Sequence, residues 1–166
     1  MLIDSSYFVG EYEIDNINGS SPVAVTGSAK LTTFINDYEP EFLRALLGTA
    51  LYDEFTAGLL IVPIPDKWTS LRDKIVNTTT KKSPIVAFIW NRYWTAEETK
   101  SSSLGQILSK AENATVVSGN AKLVRSWNNS MWGAEVIYDW LITQRDTYPT
   151  QDTDVDFFYL TNTLGI

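Results

Sequence analysis

The chain has 166 residues and a formal net charge of −7, and it contains neither cysteine nor histidine. This length favours a single domain with a genuine hydrophobic core. The missing residue types exclude disulfides, thiolate nucleophiles, Cys/His zinc sites and histidine acid–base catalysis. The acidic charge argues against a protein that wraps nucleic acid phosphates.

The first 27 residues have the pattern of an extended N-terminal arm followed by a loop. Aromatic side chains, among them Phe8 and Tyr12, alternate with acids without helical spacing. Residues 18–28 are rich in Gly, Ser and Pro. Such an arm pairs either with its own domain or with a neighbouring subunit. The N-terminus has no basic segment or long apolar run, so we expect no secretion signal and no membrane span.

Helical periodicity begins after this loop. The pattern predicts a helix from Ser28, a second helix with Pro40 in its first turn and Gly48 at its end, and a third over residues 49–57. The apolar stretch 59–65 contains two prolines, which argue against a central strand. We expect it to lie over the core.

Two more helices and an irregular stretch follow. Asp66 is predicted to cap a helix over residues 67–77. Ser83 and Pro84 start the next helix, which we expect to be the most buried because its apolar residues point nearly all round. Residues 99–118 show only a brief helical pattern, which fits an extended loop or a β-hairpin.

A single long helix is predicted over residues 118–148. One face carries apolar residues at three- and four-residue spacing: Leu123, Trp127, Met131, Ala134, Tyr138 and Leu141. A second apolar row, Trp132, Val136 and Trp140, falls roughly on the opposite face. A helix that is apolar on two faces is either sandwiched within its own domain, which we favour, or presents one face to another subunit.

These elements predict a mainly α fold, a helical bundle around one long C-terminal helix with a short β arm or hairpin. The single domain, residues 1–166, divides into an arm and loop (1–27), a helical core (28–148) and a C-terminal tail (149–166). The tail contains an aromatic anchor formed by Phe157, Phe158 and Tyr159.

One acidic group resembles the start of a calcium loop. Asp152, Asp154 and Asp156 alternate as the first ligands of such a loop do. Phe157 stands where the loop needs glycine, and Thr163 replaces the final glutamate. We therefore interpret the group as a solvated acidic turn.

The sequence signals for other reactive groups are equally weak. Glu97 and Glu98 are adjacent, so on a helix their carboxylates do not face each other, and a solvated helix end is the better interpretation. Ser101, Ser109 and Lys110 have no spacing that would activate a nucleophile. We expect a non-enzymatic protein with no cofactor and no metal.

Several stretches resemble a known family. They are FINDYEPEFLRALLGTALYDEF (34–55), SPIVAFIWNRYW (83–94), KAENATVVSGNAKLVRSWNNSM (110–131) and the closing NTLGI. Together they are similar to small proteins encoded in the structural-gene region of phages and prophages of gut bacteria, including crAss-like phages. These proteins look like relatives of the head-tail connectors, or neck adaptors, of tailed phages. The resemblance extends over most of residues 2–166.

The resemblance implies a virion structural protein that assembles as a ring under the portal. Its partners would be further copies, the portal and neck or tail proteins, with packaged DNA passing nearby without sequence-specific binding. It would reside in the host bacterial cytoplasm before assembly and in the virion neck afterwards. The 99–118 loop would project toward the channel or the next ring. The candidate subunit interface comprises Phe8, Tyr12, Trp132, Val136, Trp140, Phe157, Phe158 and Tyr159.

Two alternatives remain open from the sequence. The first is a cytosolic protein-binding or scaffolding module without a virion role. The second is a small hydrolase that uses carboxylates alone. A ring-forming chain is distinguished from both by its mass in solution and by neighbouring genes for portal, terminase and tail proteins.

Overall fold

The computed structural model describes residues 1–15, 17, 19–102, 105–108 and 120–152. Within these residues the fold is a bundle of five α-helices with one antiparallel hairpin, which confirms the mainly α prediction. The helices are α1 (Pro22–Leu47), α2 (Thr49–Gly58), α3 (Asp66–Ile75), α4 (Pro84–Glu98) and α5 (Asn120–Thr143). The strands are β1 (Thr99–Ser102) and β2 (Gly105–Leu108). No helix in this described part of the chain is both long and apolar enough to cross a membrane.

Helix α1 is continuous over 26 residues, so the predicted division into two helices at Pro40 is wrong. The true start is Ser21, whose Oγ accepts a hydrogen bond from the Ala24 amide at 3.2 Å, with Pro22 in the first turn. This start lies in the stretch interpreted above as a loop. Pro40 lies inside the helix, where a proline costs about 3 kcal/mol. The buried side chains that follow it hold the helix together.

Gly48 separates α1 from α2. Its φ of +75° is a backbone conformation that favours glycine. A Cβ at this position would also approach the Asp152 Cβ to 2.5 Å. The positive φ between the two helices and the close passage of the chain at Asp152 both favour glycine here.

The N-terminal segment is not an extended arm. Residues Ser5–Tyr7 and Gly10–Tyr12 form 3₁₀ turns. Five of its apolar side chains belong to the chain's own core: Ile3, Tyr7, Phe8, Ile14 and Ile17. The buried Glu39 carboxylate of α1 accepts hydrogen bonds from the amides of Leu2, at 2.7 Å, and Ile3, at 3.1 Å. The N-terminal segment therefore packs against its own domain, which is one of the two alternatives that the sequence left open.

Helix α4 is the centre of the bundle. Its residues from Ile85 to Asn91 are all buried, and it packs against both α1 and α5. Ser83 caps it, because its Oγ accepts a hydrogen bond from the Ile85 amide at 3.2 Å. The predicted start and deep burial of this helix are confirmed. At α3, by contrast, Pro65 holds the cap position and Asp66 is the first helical residue.

Helix α5 is shorter than predicted, since it ends at Thr143 and a turn carries the chain to Tyr148, whose amide bonds the Gln144 carbonyl at 3.0 Å. Its predicted inner face is confirmed as core: Leu123, Trp127, Ala134 and Leu141 are buried, and Met131 and Tyr138 pack against the cluster. A buried polar joint reinforces this face. The Asn91 Nδ2 of α4 donates hydrogen bonds to the Leu123 carbonyl at 2.8 Å and to the Ser126 Oγ at 3.0 Å.

Two connections complete the fold. The 59–65 stretch lies over the core at its two ends only, since Leu59 and Ile64 pack against the core cluster, whereas Leu60, Ile61 and Val62 are exposed. Strand β1 pairs antiparallel with β2, and Thr99 is opposite Leu108. The beginning of the 99–118 stretch is therefore a β-hairpin, and residues 109–118 lie outside the described residues.

Candidate protein interaction surface

The outer face of α5 is apolar and exposed. Trp132 is 63% exposed and Val136 is 58% exposed. The prediction that this row is sandwiched within its own domain is therefore wrong for both residues. The physical reason is that α4 covers the opposite face of α5, and no element of the described chain covers this one. Exposed apolar side chains grouped on one rigid surface are typical of interaction sites.

Trp140, the third member of the row, has partners within the chain. Its ring lies 5.8 Å from the ring of Tyr148, centroid to centroid, because the turn after α5 folds back along the helix. The Tyr148 hydroxyl donates a hydrogen bond to the Lys67 carbonyl at 2.6 Å, which ties this turn to α3. Burial raises the pKa of Tyr148. Trp140 is therefore half-buried, and the exposed part of the row is Trp132 and Val136.

These two side chains form one wall of an open groove of about 890 Å³. Val9 and Tyr12 of the N-terminal segment also line the groove, as does Lys81 in the turn between α3 and α4. A volume of this size is within the range of ordinary ligand-binding clefts. We refer to it below as the α5 groove.

Two contacts fix the shape of the α5 groove. Gly133 lets α5 approach the start of α4, since a Cβ there would come within 2.7 Å of the Pro84 Cβ. The Asn129 Nδ2 donates a hydrogen bond to the Tyr12 hydroxyl at 2.7 Å and so fastens the second 3₁₀ turn to α5. Burial raises the pKa of Tyr12, and the hydrogen bond from Asn129 partly opposes this effect. The groove is thus preformed by the fold.

Three lysines from α3 and the turn that follows it line the α5 groove: Lys74, Lys81 and Lys82. Lys81 and Lys82 are presented by a tight turn in which the Asn77 Oδ1 accepts hydrogen bonds from the amides of Thr79 and Thr80. The Lys81 Nζ lies 4.6 Å from the centroid of the Tyr7 ring. These cations are concentrated on a chain whose net charge is −7.

The acids that line the α5 groove have other partners. Asp73 pairs with Arg72 at 3.0 Å, and Glu11 pairs with Arg125 at 3.7 Å. Outside the groove, the pKa of Asp4 is lowered mainly by a hydrogen bond from Ser6 and, to a smaller extent, by the charge of Lys81. Among the described residues, no carboxylate lies within ion-pair distance of the three lysines. Their charge is available to an incoming group.

The predicted interface residues divide into four groups. Phe8 is only 1% exposed, because the N-terminal segment folds into the core, so it does not face a partner as predicted. Tyr12 and Trp140 are half-buried against their own chain, whereas Trp132 and Val136 are exposed. The tail aromatics Phe157, Phe158 and Tyr159 lie outside the described residues. The sequence interpretation missed the lysines, although the adjacent pair Lys81 and Lys82 ends a polar break between two helices.

The candidate chemical groups are not brought together in the described chain. Glu97 forms an ion pair with Lys30 of α1. Asp152 is the last described residue, so Asp154 and Asp156 of the predicted acidic turn lie outside the described residues. Among the described residues, no group of three or more acids is placed to hold a metal ion.

The arrangement combines an apolar wall, a helix and a group of lysines that have no carboxylate partner among the described residues, all in one open groove. Tryptophan is among the residues that contribute most to protein interfaces. Lysines beside an apolar wall favour an acidic and partly apolar partner. The chain matches no protein-family model, no curated protein sequence and no solved structure.

Proposed function

We propose that this chain is a non-enzymatic structural subunit of the head-tail junction of a tailed phage, where copies assemble into a ring under the portal. The observation that carries the proposal is the exposed pair Trp132 and Val136 on α5. The resemblance of the chain to small phage and prophage proteins supports assembly into a virion as the role of this exposed pair. The partners are further copies, the portal and neck or tail proteins.

The exposed pair is well placed to stabilise a subunit contact. Its helix is anchored from behind by the buried Leu123, Ala134 and Leu141. The two side chains are thus held on a rigid support, which lowers the entropy lost on association. Burying apolar surface contributes about 25 cal/mol per Å², and a tryptophan buries about 150–250 Å². A ring repeats this contact at every subunit boundary.

The charge of the chain fits a place beside packaged DNA. A net charge of −7 disfavours binding to phosphates, so DNA can pass nearby without being retained. In this proposal the protein resides in the host bacterial cytoplasm before assembly and in the virion neck afterwards. Its proximity to DNA is passive and independent of sequence.

The proposal is tested by negative-stain microscopy of the purified chain, alone and mixed with the portal protein from the same genome. The wild-type chain is expected to form rings, alone or on the portal. A variant with Trp132→Ser and Val136→Ser is expected to lose them while its circular dichroism stays unchanged. The matched control carries Val23→Ser and Val25→Ser on α1, where the native side chains are 65% and 56% exposed. This control should still form rings.

A wild-type chain that stays monomeric and never binds the portal would contradict the proposal. Capture of a cytosolic protein by the wild-type chain, without rings, would instead support the alternative of a protein-binding module. That capture should also depend on Trp132 and Val136, because the same exposed face would carry it.

A further inference from the structure

We propose that the α5 groove binds the C-terminal segment, residues 153–166, of a second copy of this chain. The inference rests on the proposed function, because it names the occupant of the assembly surface. It pairs the exposed face of α5 in one subunit with the tail of the next. Each copy would then provide one groove and one tail, which is the arrangement that closes a ring through identical contacts.

The chemistry of the α5 groove defines what it can bind. Trp132, Val136 and Val9 provide exposed apolar surface, and Lys74, Lys81 and Lys82 lie beside it without carboxylate partners among the described residues. A partner with apolar side chains next to carboxylates satisfies both parts of the groove. A purely apolar partner would leave the lysines desolvated and unpaired, which is costly.

The segment DVDFFYL, residues 154–160, has this composition. Asp154 and Asp156 come immediately before Phe157, Phe158, Tyr159 and Leu160. Two carboxylates and an apolar run are therefore adjacent in the chain, as the lysines and the apolar wall are adjacent in the groove. The acids would lie at the lysine side, and the aromatic rings would pack against Trp132 and Val136.

The position of the last described residue makes a second copy accessible. The Asp152 amide lies 3.5 Å from the Leu47 carbonyl at the end of α1, which places the start of the segment on the body of the domain. The 14 residues from 153 to 166 span at most about 50 Å when extended, since each residue adds about 3.3–3.6 Å. This reach is comparable to the width of a domain of this size. The segment is long enough to cross to a neighbour.

A charge exchange in the full-length chain tests the pairing. The groove-side variant carries Lys81→Glu and Lys82→Glu, and the tail-side variant carries Asp154→Lys and Asp156→Lys. Each is expected to weaken self-association, measured by sedimentation velocity, by at least about tenfold, because like charges then face each other. The chain with all four changes is expected to recover most of the lost association. A control with Lys67→Glu and Lys122→Glu makes the same change in net charge outside the groove and should have little effect.

Two outcomes of this exchange would overturn the pairing. The first is a four-change variant that associates no better than the two parents. The second is a tail-side variant that associates as the wild type does. Circular dichroism of every variant separates loss of association from loss of fold.

A mixing experiment then identifies whose tail occupies the groove. One full-length variant carries Trp132→Ser and Val136→Ser, and the other carries Phe157→Ser and Phe158→Ser. Neither is expected to associate alone, and the mixture is expected to form a one-to-one complex, because one groove and one tail remain intact. If the mixture associates while the wild type stays monomeric at every concentration, the tail fills its own groove and the second-copy inference is wrong.

The failure of this inference is distinguishable from the failure of the proposed function. If the Phe157→Ser and Phe158→Ser variant forms normal rings on the portal, the tail does not contribute to the subunit contact. The proposed ring role is then unaffected. A wild-type chain that pairs through its tail but never forms rings or binds the portal would contradict the ring role. It would still support binding of the tail in the α5 groove.

Discussion

The two faces of α5 have similar apolar character but opposite surroundings. On the inner face, Leu123, Ala134 and Leu141 are buried against the bundle. On the outer face, Trp132 and Val136 are exposed. Both faces show helical spacing of apolar residues, so hydrophobicity alone does not decide which face is core. The difference comes from α4, which packs against one face of α5 only.

This comparison separates residues that stabilise the fold from residues that are available for assembly. The inner face also contains a polar joint, in which Asn91 bonds the Leu123 carbonyl and the Ser126 hydroxyl. Substitutions there should lower the free energy of unfolding. Substitutions on the outer face should leave that free energy nearly unchanged and act on association instead.

The largest effect is expected for Leu141→Ala on the inner face. Leu141 has no exposed surface, so its truncation leaves a cavity in the core. The free energy of unfolding should fall by about 2–5 kcal/mol. Urea denaturation followed by circular dichroism measures the change. A loss below about 1 kcal/mol would show that this face is not core.

The next effect is expected for Asn91→Ala at the joint between α4 and α5. This change removes two buried hydrogen bonds and leaves the Leu123 carbonyl with fewer donors. The free energy of unfolding should fall by about 1–3 kcal/mol. The matched control is Asn129→Ala, which removes one hydrogen bond to Tyr12 at the half-buried edge of the groove. If both variants lose the same stability, the joint is not the stronger contact.

A smaller effect on folding is expected for the outer face. Trp132→Ser and Val136→Ser each should change the free energy of unfolding by about 0.5 kcal/mol or less, since exposed substitutions rarely do more. The same urea titration, compared with Leu141→Ala, measures the contrast between the faces. A loss of unfolding free energy as large as that of Leu141→Ala would show that the outer face is part of the core and is not available to a partner.

The smallest effect is expected from alkaline pH. Burial raises the pKa values of Tyr12 and Tyr148 above the unfolded value of 10.0. Their contribution to stability is therefore fully present below about pH 10 and is lost as the pH rises through the folded pKa values. Tyr148→Phe should make the alkaline fall in stability shallower. Thermal melts between pH 8 and pH 11 measure it, and an unchanged slope would contradict the assignment.

Sequence patterns predicted the fold correctly where the local spacing and capping of residues agree with the tertiary packing. The inner face of α5 and the capped start of α4 at Ser83 were predictable, since both depend on local spacing and capping. Pro40 misled the prediction because a proline usually starts or breaks a helix, whereas here it lies inside α1. Tertiary packing on either side of Pro40 overrides its local cost.

The candidate site was predictable only in part. The spacing of Trp132 and Val136 identified a second apolar face, but whether that face is covered depends on where α4 and the N-terminal segment lie. The N-terminal residue Phe8 was predicted to face a partner and is buried instead, because the Glu39 carboxylate holds the segment on α1. The lysines join the groove through a turn between helices, which helical periodicity does not reveal.

The most direct test of the central claim is sedimentation velocity of the full-length chain, alone and with the portal protein from the same genome. The outer face of α5 is predicted to be the assembly surface. The wild type and the Val23→Ser, Val25→Ser control should therefore form large species, and the Trp132→Ser, Val136→Ser variant should sediment as a folded monomer. Large species of equal size from all three chains, or a wild type that is monomeric in both conditions, would contradict the claim.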